Sequence, residues 1–227
     1  MRNNVQYKMQ GLFETNAQAW MAAVGCFSIV SRMGHKAHLL WEHQHPVLLG
    51  VDENIVLESL SRYLAEGSSL LEELPKSKTA EKIPLDLTAG RVSFSNVITT
   101  MLISVTRDDI LNALNLPWMN EDNITSLGWD VGANKMAAKV GGMKAPTSSP
   151  HRGVIAGQWL AAEALPVTSL GVRKGFYQWV TWSVPLDISG VWAVVQSKST
   201  EWGGDLYEAT IQRNGQMGYL LPARRSH

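Results

Sequence analysis

The 227 residues carry 20 Lys and Arg, 20 Asp and Glu, 45% hydrophobic side chains and a mean hydropathy of −0.07, values of a globular chain long enough to bury a real core. No apolar run approaches the ~20 residues of a bilayer span, and the polar start is unlike a secretory leader, so a bacterial or archaeal cytoplasm is expected, with no membrane partner. Cys26 is the only cysteine, which excludes an internal disulfide and any multi-cysteine zinc site.

Residues 5–12 alternate loosely and read as a first strand. Asn16 can cap a helix from Ala17 to about Arg32, its side-chain oxygen satisfying an orphan N–H of the first turn. Trp20, Ala23, Val24, Phe27 and Val30 recur at three- and four-residue spacing and give that helix one buried face, with Gly34 as its stop. A short strand is expected over 37–42, and 47–50 continues the pairing after Pro46. Asp52 caps a second helix through Ile55, Val56, Leu60, Tyr63 and Leu64, ending at Gly67. Residues 68–84, rich in Lys, Glu and Ser, read as a mobile connection. The stretch 91–105 is ambiguous: its β-branched content favours a strand, whereas Val97, Met101 and Leu102 suit a helix.

Thr106 caps a short helix over 107–116, which Pro117 closes. Residues 131–152 hold three Gly, two Pro and several Lys and Ser, and read as a long exposed loop of the kind that often carries function. A helix over 153–165 follows. A strand over 176–184 includes Trp182 and ends at Pro185, which lacks the ladder N–H. A further helix is capped near Asp187 and runs through Trp192. Strands over 206–211 and 216–221 flank Asn214-Gly215, a dipeptide suited to the left-handed backbone of a two-residue hairpin turn. The sum is α+β, with helices packed on a mainly antiparallel sheet and a C-terminal β-hairpin.

One domain over 1–227 is expected, with two lobes as an option because charge is unevenly placed. Residues 1–134 hold ten basic and fifteen acidic side chains, a balance of −5, and residues 135–227 hold ten and five, a balance of +5. An acidic surface for a protein partner and a basic one for phosphates would account for that asymmetry; so would chance on a neutral surface. The nine tryptophans exceed what one core of this size readily hides and are expected to anchor core or subunit interface.

Catalytic chemistry is harder to find. His43 and His45, two apart on an extended segment, would face one side as a ligand pair must, with His35 and His38 nearby, but no further ligand arrives at recognisable spacing. Asp108 and Asp109 sit in a helical first turn, where carboxylates favour the dipole; Glu121 and Asp122 form a second acidic pair. Cys26 falls in an apolar helix and reads as a core residue. Ser148 and Ser149 before His151 lack a nucleophile elbow, and Gly141-Gly142 lacks a phosphate-cradling pattern. No enzyme and no cofactor are expected. Lys135, Lys139, Lys144 and Arg152 in the long loop, then Arg173-Lys174-Gly175-Phe176-Tyr177, place cations beside aromatics, which suits phosphate contact with base stacking. Lys144, Arg152, Arg173, Lys174 and Tyr177 are therefore the candidate nucleic-acid-binding set.

The order of motifs resembles the large-subunit-like proteins of CRISPR subtype I-G (formerly I-U) interference loci. The matching residues are the helix over 16–33 with Ala22, Ala23 and Gly25, then Leu40-Trp41, Gly128-Trp129-Asp130, the loop to Arg152, the stretch from Gly157-Gln158-Trp159-Leu160-Ala161 to Leu165-Pro166, and Trp182-Ser183-Val184-Pro185-Leu186. They cover both ends of the chain and leave the middle unmatched. The resemblance implies a non-catalytic subunit of a Cascade-type, RNA-guided surveillance complex, whose partners are other Cascade-type subunits, the guide RNA and target double-stranded DNA. In such complexes guide pairing reads sequence while protein reads a short flanking motif and the backbone. The alternatives are an adaptor that touches only protein, or an unrecognised metal-dependent nuclease.

Overall fold

The computed structural model describes residues 5–68, 70, 85–88, 92–133, 152–214 and 217–226. Asn16 stands in extended backbone and accepts from the N–H groups of Gln18 (3.0 Å) and Ala19 (3.4 Å), so helix α1 (Ala17–Arg32) starts where the cap dictates. Its environment differs from the expected single buried face. From Ala17 to Val30 only Ser28 is not fully buried, and a helix covered on all sides belongs in the middle of a core. Small residues make this possible. At Gly25 the helix meets α5 (Ile155–Glu163) so closely that a Cβ would overlap the Leu160 carbonyl. Thus α1, from the acidic half of the sequence, lies against α5, from the basic half.

Strand β1 (Gln6–Lys8) is shorter than expected and pairs antiparallel with β3 (His45–Leu49), which also pairs with β2 (His38–Glu42). Between β2 and β3 lie only His43 (φ 50°) and Gln44 (φ 71°), both left-handed, as a two-residue hairpin demands. Asp52 caps α2 (Glu53–Glu66) through the N–H of Ile55. Nearly all of the expected connection over 68–84 lies outside the described residues. The ambiguous stretch is helical: Ser93 caps α3 (Phe94–Ser104), and Phe94, Val97, Ile98 and Met101 form its buried stripe. Its exposed Thr99 and Thr100 hydroxyls donate to carbonyls one turn back. Thr106 and Asp109 form a reciprocal capping box on α4 (Arg107–Asn115).

A short pair, β4 (Asp122–Asn123) with β5 (Arg152–Gly153), precedes α5. Then come α6 (Leu165–Thr168), a 3₁₀ turn over Ser169–Gly171, β6 (Val172–Arg173) and β7 (Phe176–Val180). Asp187 caps α7 (Ile188–Ser197) through the N–H of Gly190. The second large sheet has the order β10-β8-β7-β6, with β9 (Met217–Leu220) also on β8 (Leu206–Asn214), and β10 is Arg224–Ser226. All pairs are antiparallel. The expected hairpin is β8–β9, but Asn214 is paired with Met217 in the strands and so is not one of the two turn residues.

Trp182 lies beyond β7, which ends at Val180, rather than inside a strand. Its carbonyl accepts from Trp41 N–H (2.9 Å), and Leu39 and Leu186 exchange two backbone bonds. The segment that sequence placed in a strand therefore straps the second sheet to the edge of the first. Six of the nine tryptophans are buried in the shared core: Trp20, Trp41, Trp129, Trp159, Trp179 and Trp182. The core thus hides more of them than composition led us to expect. Trp159 donates its indole N–H to Glu163 within α5, and four others spend theirs on long-range carbonyls: Trp20 on Val180 O, Trp129 on Leu85 O, Trp179 on Glu14 O and Trp182 on Leu39 O. Each such bond contributes about 0.5–1.5 kcal/mol and fixes the register of elements distant in sequence.

Glu163, at the end of α5, is the buried polar centre of this arrangement. Its carboxylate accepts from Tyr63 (2.9 Å), Trp159 (3.0 Å) and Ser68. Burial raises its pKa, while the Ser68, Tyr63 and Trp159 donors and the Arg32 charge oppose that rise. No helix among the described residues is long and apolar enough to cross a membrane.

Candidate nucleic-acid interface

The β6–β7 hairpin presents Arg173, Lys174 and Gly175 at its tip, where Arg173 pairs with Phe176 and Gly175 takes φ 85°. The Arg173 guanidinium donates to the carbonyls of Leu170 (3.0 Å) and Val172 (2.9 Å). Lys198 reaches the same Leu170 oxygen with its Nζ, also at 3.0 Å. It can do so because it ends α7 in the left-handed conformation (φ 54°), with its backbone N–H on Val194 O. Two cations are thus held on one carbonyl, beside the exposed Lys174. Desolvation lowers the Lys198 pKa, and the Arg173 charge lowers it further. The ion pairs among the described residues engage Arg62, Arg224 and Arg225, not this corner. A cluster of like charges that no ion pair among the described residues neutralises is suited to an anionic group.

The other candidates divide. Lys144, with Lys135 and Lys139, lies outside the described residues, as do Ser148, Ser149, His151, Gly141 and Gly142. Arg152 belongs to the separate β4–β5 pair, where it donates to Glu121 O (2.9 Å). Tyr177 is not available for base stacking. It is fully buried, its hydroxyl donates to Thr168 O (3.0 Å), and its ring stacks on Trp179 at 5.7 Å. Strand alternation accounts for this: Phe176 and Gln178 point to the half-open face and Tyr177 and Trp179 to the core. Sequence reasoning does not reach Lys198, because its partner Leu170 is 28 positions away and the packing of α7 on the 3₁₀ turn joins them.

Nor do His43 and His45 form the ligand pair expected of an extended segment. His43 is in the hairpin turn, and His45 begins β3, with Nδ1 3.0 Å from Leu12 O and its ring 4.5 Å from that of Phe13. Among the described residues no group of three or more His, Cys, Asp or Glu is placed to hold a metal ion. Asp109 is spent on its capping box, and Asp122 accepts the Ile155 N–H at 2.7 Å at the start of α5. Cys26 is fully buried, and burial pushes its thiol up to about 12.

No protein-family model matches the chain, and no curated protein matches it either.

Proposed function

We propose that the protein is a non-catalytic subunit of an RNA-guided CRISPR surveillance complex, working among other Cascade-type subunits in the cytoplasm. Its Arg173–Lys174–Lys198 corner contacts the backbone of target DNA or guide RNA. The observation that carries this reading is the convergence of Arg173 and Lys198 on Leu170 O, with neither cation in an ion pair among the described residues. The motif resemblance at both ends of the chain supports it independently. Trp192, exposed on the helix that Lys198 ends, offers the aromatic surface that Tyr177 does not.

The test is co-expression with the other locus proteins and guide RNA, followed by DNA binding across a salt series. Replacing Arg173, Lys174 and Lys198 together by Ala should weaken binding and reduce the log–log salt slope by about 2–3, since each lost phosphate contact removes about 0.9. An assembled complex with an unchanged slope overturns the phosphate assignment. That result would favour the adaptor reading, which the two exposed tryptophans, Trp192 and Trp202, also suit.

A further inference from the structure

Gly128-Trp129-Asp130 takes no part in the basic corner. Trp129 is core, its indole N–H on Leu85 O. Asp130 is different. It is only 2% exposed, and it lines a cavity of about 250 Å³ between the β1–α1 connection, the segment after α4 and its own turn. One carboxylate oxygen, Oδ1, is fully engaged, accepting from Asn16 Nδ2 (2.9 Å) and the Gly132 N–H (2.8 Å). The other, Oδ2, is buried without a hydrogen-bond partner, and so is Oδ1 of Asn120, which lines the same cavity. Asn120 is held there in a left-handed conformation, φ 56°. Two orphaned buried acceptors in one place are costly, at about 1–3 kcal/mol each, and call for a donor.

The walls narrow the choice. Phe13, Pro117 and Trp118 make them largely apolar and aromatic. Trp118 is fixed by its indole N–H on Ala113 O (2.9 Å) and by its ring against Gly157, where a Cβ would fall 2.5 Å from Cζ2. The space exceeds that of one bare ion, and it falls below the ~300–1,000 Å³ of pockets for drug-sized ligands. It has room for the head group and outer methylenes of a long side chain. The unpartnered carboxylate and amide oxygens favour a group that donates, as guanidinium and ammonium do. Aromatic walls favour the planar, weakly hydrated guanidinium, which stacks, over the compact, strongly hydrated ammonium.

We infer that the Asp130–Asn120 cavity is a receptor for a guanidinium group, the head of an arginine on a partner protein. Asp130 Oδ2 and Asn120 Oδ1 accept its N–H groups, and Phe13 and Trp118 flank its plane. Burial raises the Asp130 pKa against the Gly132, Asn16, Ala133 and Asn120 donors, and the charge of an entering cation would oppose that rise further. The inference rests on residues apart from the basic corner, so either assignment can fail without the other.

The test titrates the full chain with Nα-acetyl-arginine amide, reading Trp118 indole and Asn120 side-chain NMR shifts. Nα-acetyl-citrulline amide, isosteric and uncharged, and Nα-acetyl-lysine amide serve as comparisons. Saturable shifts with the arginine probe, weaker ones with lysine and none with citrulline are expected. Asp130→Asn keeps an oxygen for Asn16 and Gly132 while removing the charge, and should weaken arginine binding about tenfold or more. Should that variant not fold, Phe13→Ala at the rim decides, with a several-fold loss expected. No saturable shift, equal binding of citrulline, or arginine binding unchanged in Asp130→Asn or in Phe13→Ala would overturn the inference and leave Asp130 as a structural acid.

Discussion

Replacing Gly25 by Ala should destabilise the protein, although the same change in an ordinary helix interior stabilises it by about 0.5–1 kcal/mol. The opposite sign comes from the crossing of α1 and α5. The new methyl would overlap the Leu160 oxygen, lie 2.9 Å from the Leu160 carbonyl carbon and 3.5 Å from the Ala164 nitrogen. These are backbone atoms inside a helix and cannot swing aside, so the two helices must separate. Overpacking of this kind costs about 1–3 kcal/mol, and here it must also cancel the propensity gain. An overlap with a backbone oxygen belongs at the upper end of that range, leaving about 2–2.5 kcal/mol after the propensity gain; for a chain of this length each kcal/mol lowers Tm by about 2–4 °C, so a fall of roughly 4–10 °C is expected. Thermal unfolding followed by far-UV circular dichroism measures it. A Tm that is unchanged or raised would refute the close approach on which the description of the core depends.

Other expectations concern buried polar groups. Because burial raises the folded pKa of Glu163, the native state keeps a proton that the unfolded state has released, so stability falls as pH rises from the ordinary Glu range through the folded value. Glu163→Gln cannot ionise and should lose less stability over that range than the wild type in urea unfolding; parallel pH dependences would contradict this. Tyr177→Phe should cost about 1 kcal/mol in urea unfolding, for the lost bond to Thr168 O, and leave nucleic-acid binding unchanged. Weaker binding at unaltered stability would return Tyr177 to the interface.

Local chemistry was legible where a few neighbouring residues decide the outcome. Asn16, Asp52, Thr106 and Asp187 each cap the helix expected of them, and the C-terminal hairpin forms, though Asn214 ends its first strand instead of standing in the turn. What escaped the sequence is set by long-range packing. The stretch around Val97 carries competing propensities, and burial of one helical stripe settled them. His43 and His45 look alternate only until the turn between β2 and β3 is closed. Tyr177 was read for its neighbours in sequence, but strand alternation turned it inward. At the site, the pairing of Arg173 with Lys198 and the orphaned Asp130 oxygen are products of tertiary structure, for which a sequence holds no local signal.

The burial of α1 on all sides has a consequence for how the chain is made. Its covering helix, α5, ends roughly 130 residues after α1 does, and Glu14 meets Trp179 and Tyr207 later still. At synthesis rates of about 5–20 residues per second, an apolar helix waits on the order of 10 s for its first full cover. Nascent chains stalled before Leu160 would carry that helix uncovered, a surface suited to chaperone binding or to self-association, so the small-residue crossing that makes the finished core tight also makes the unfinished chain the vulnerable state.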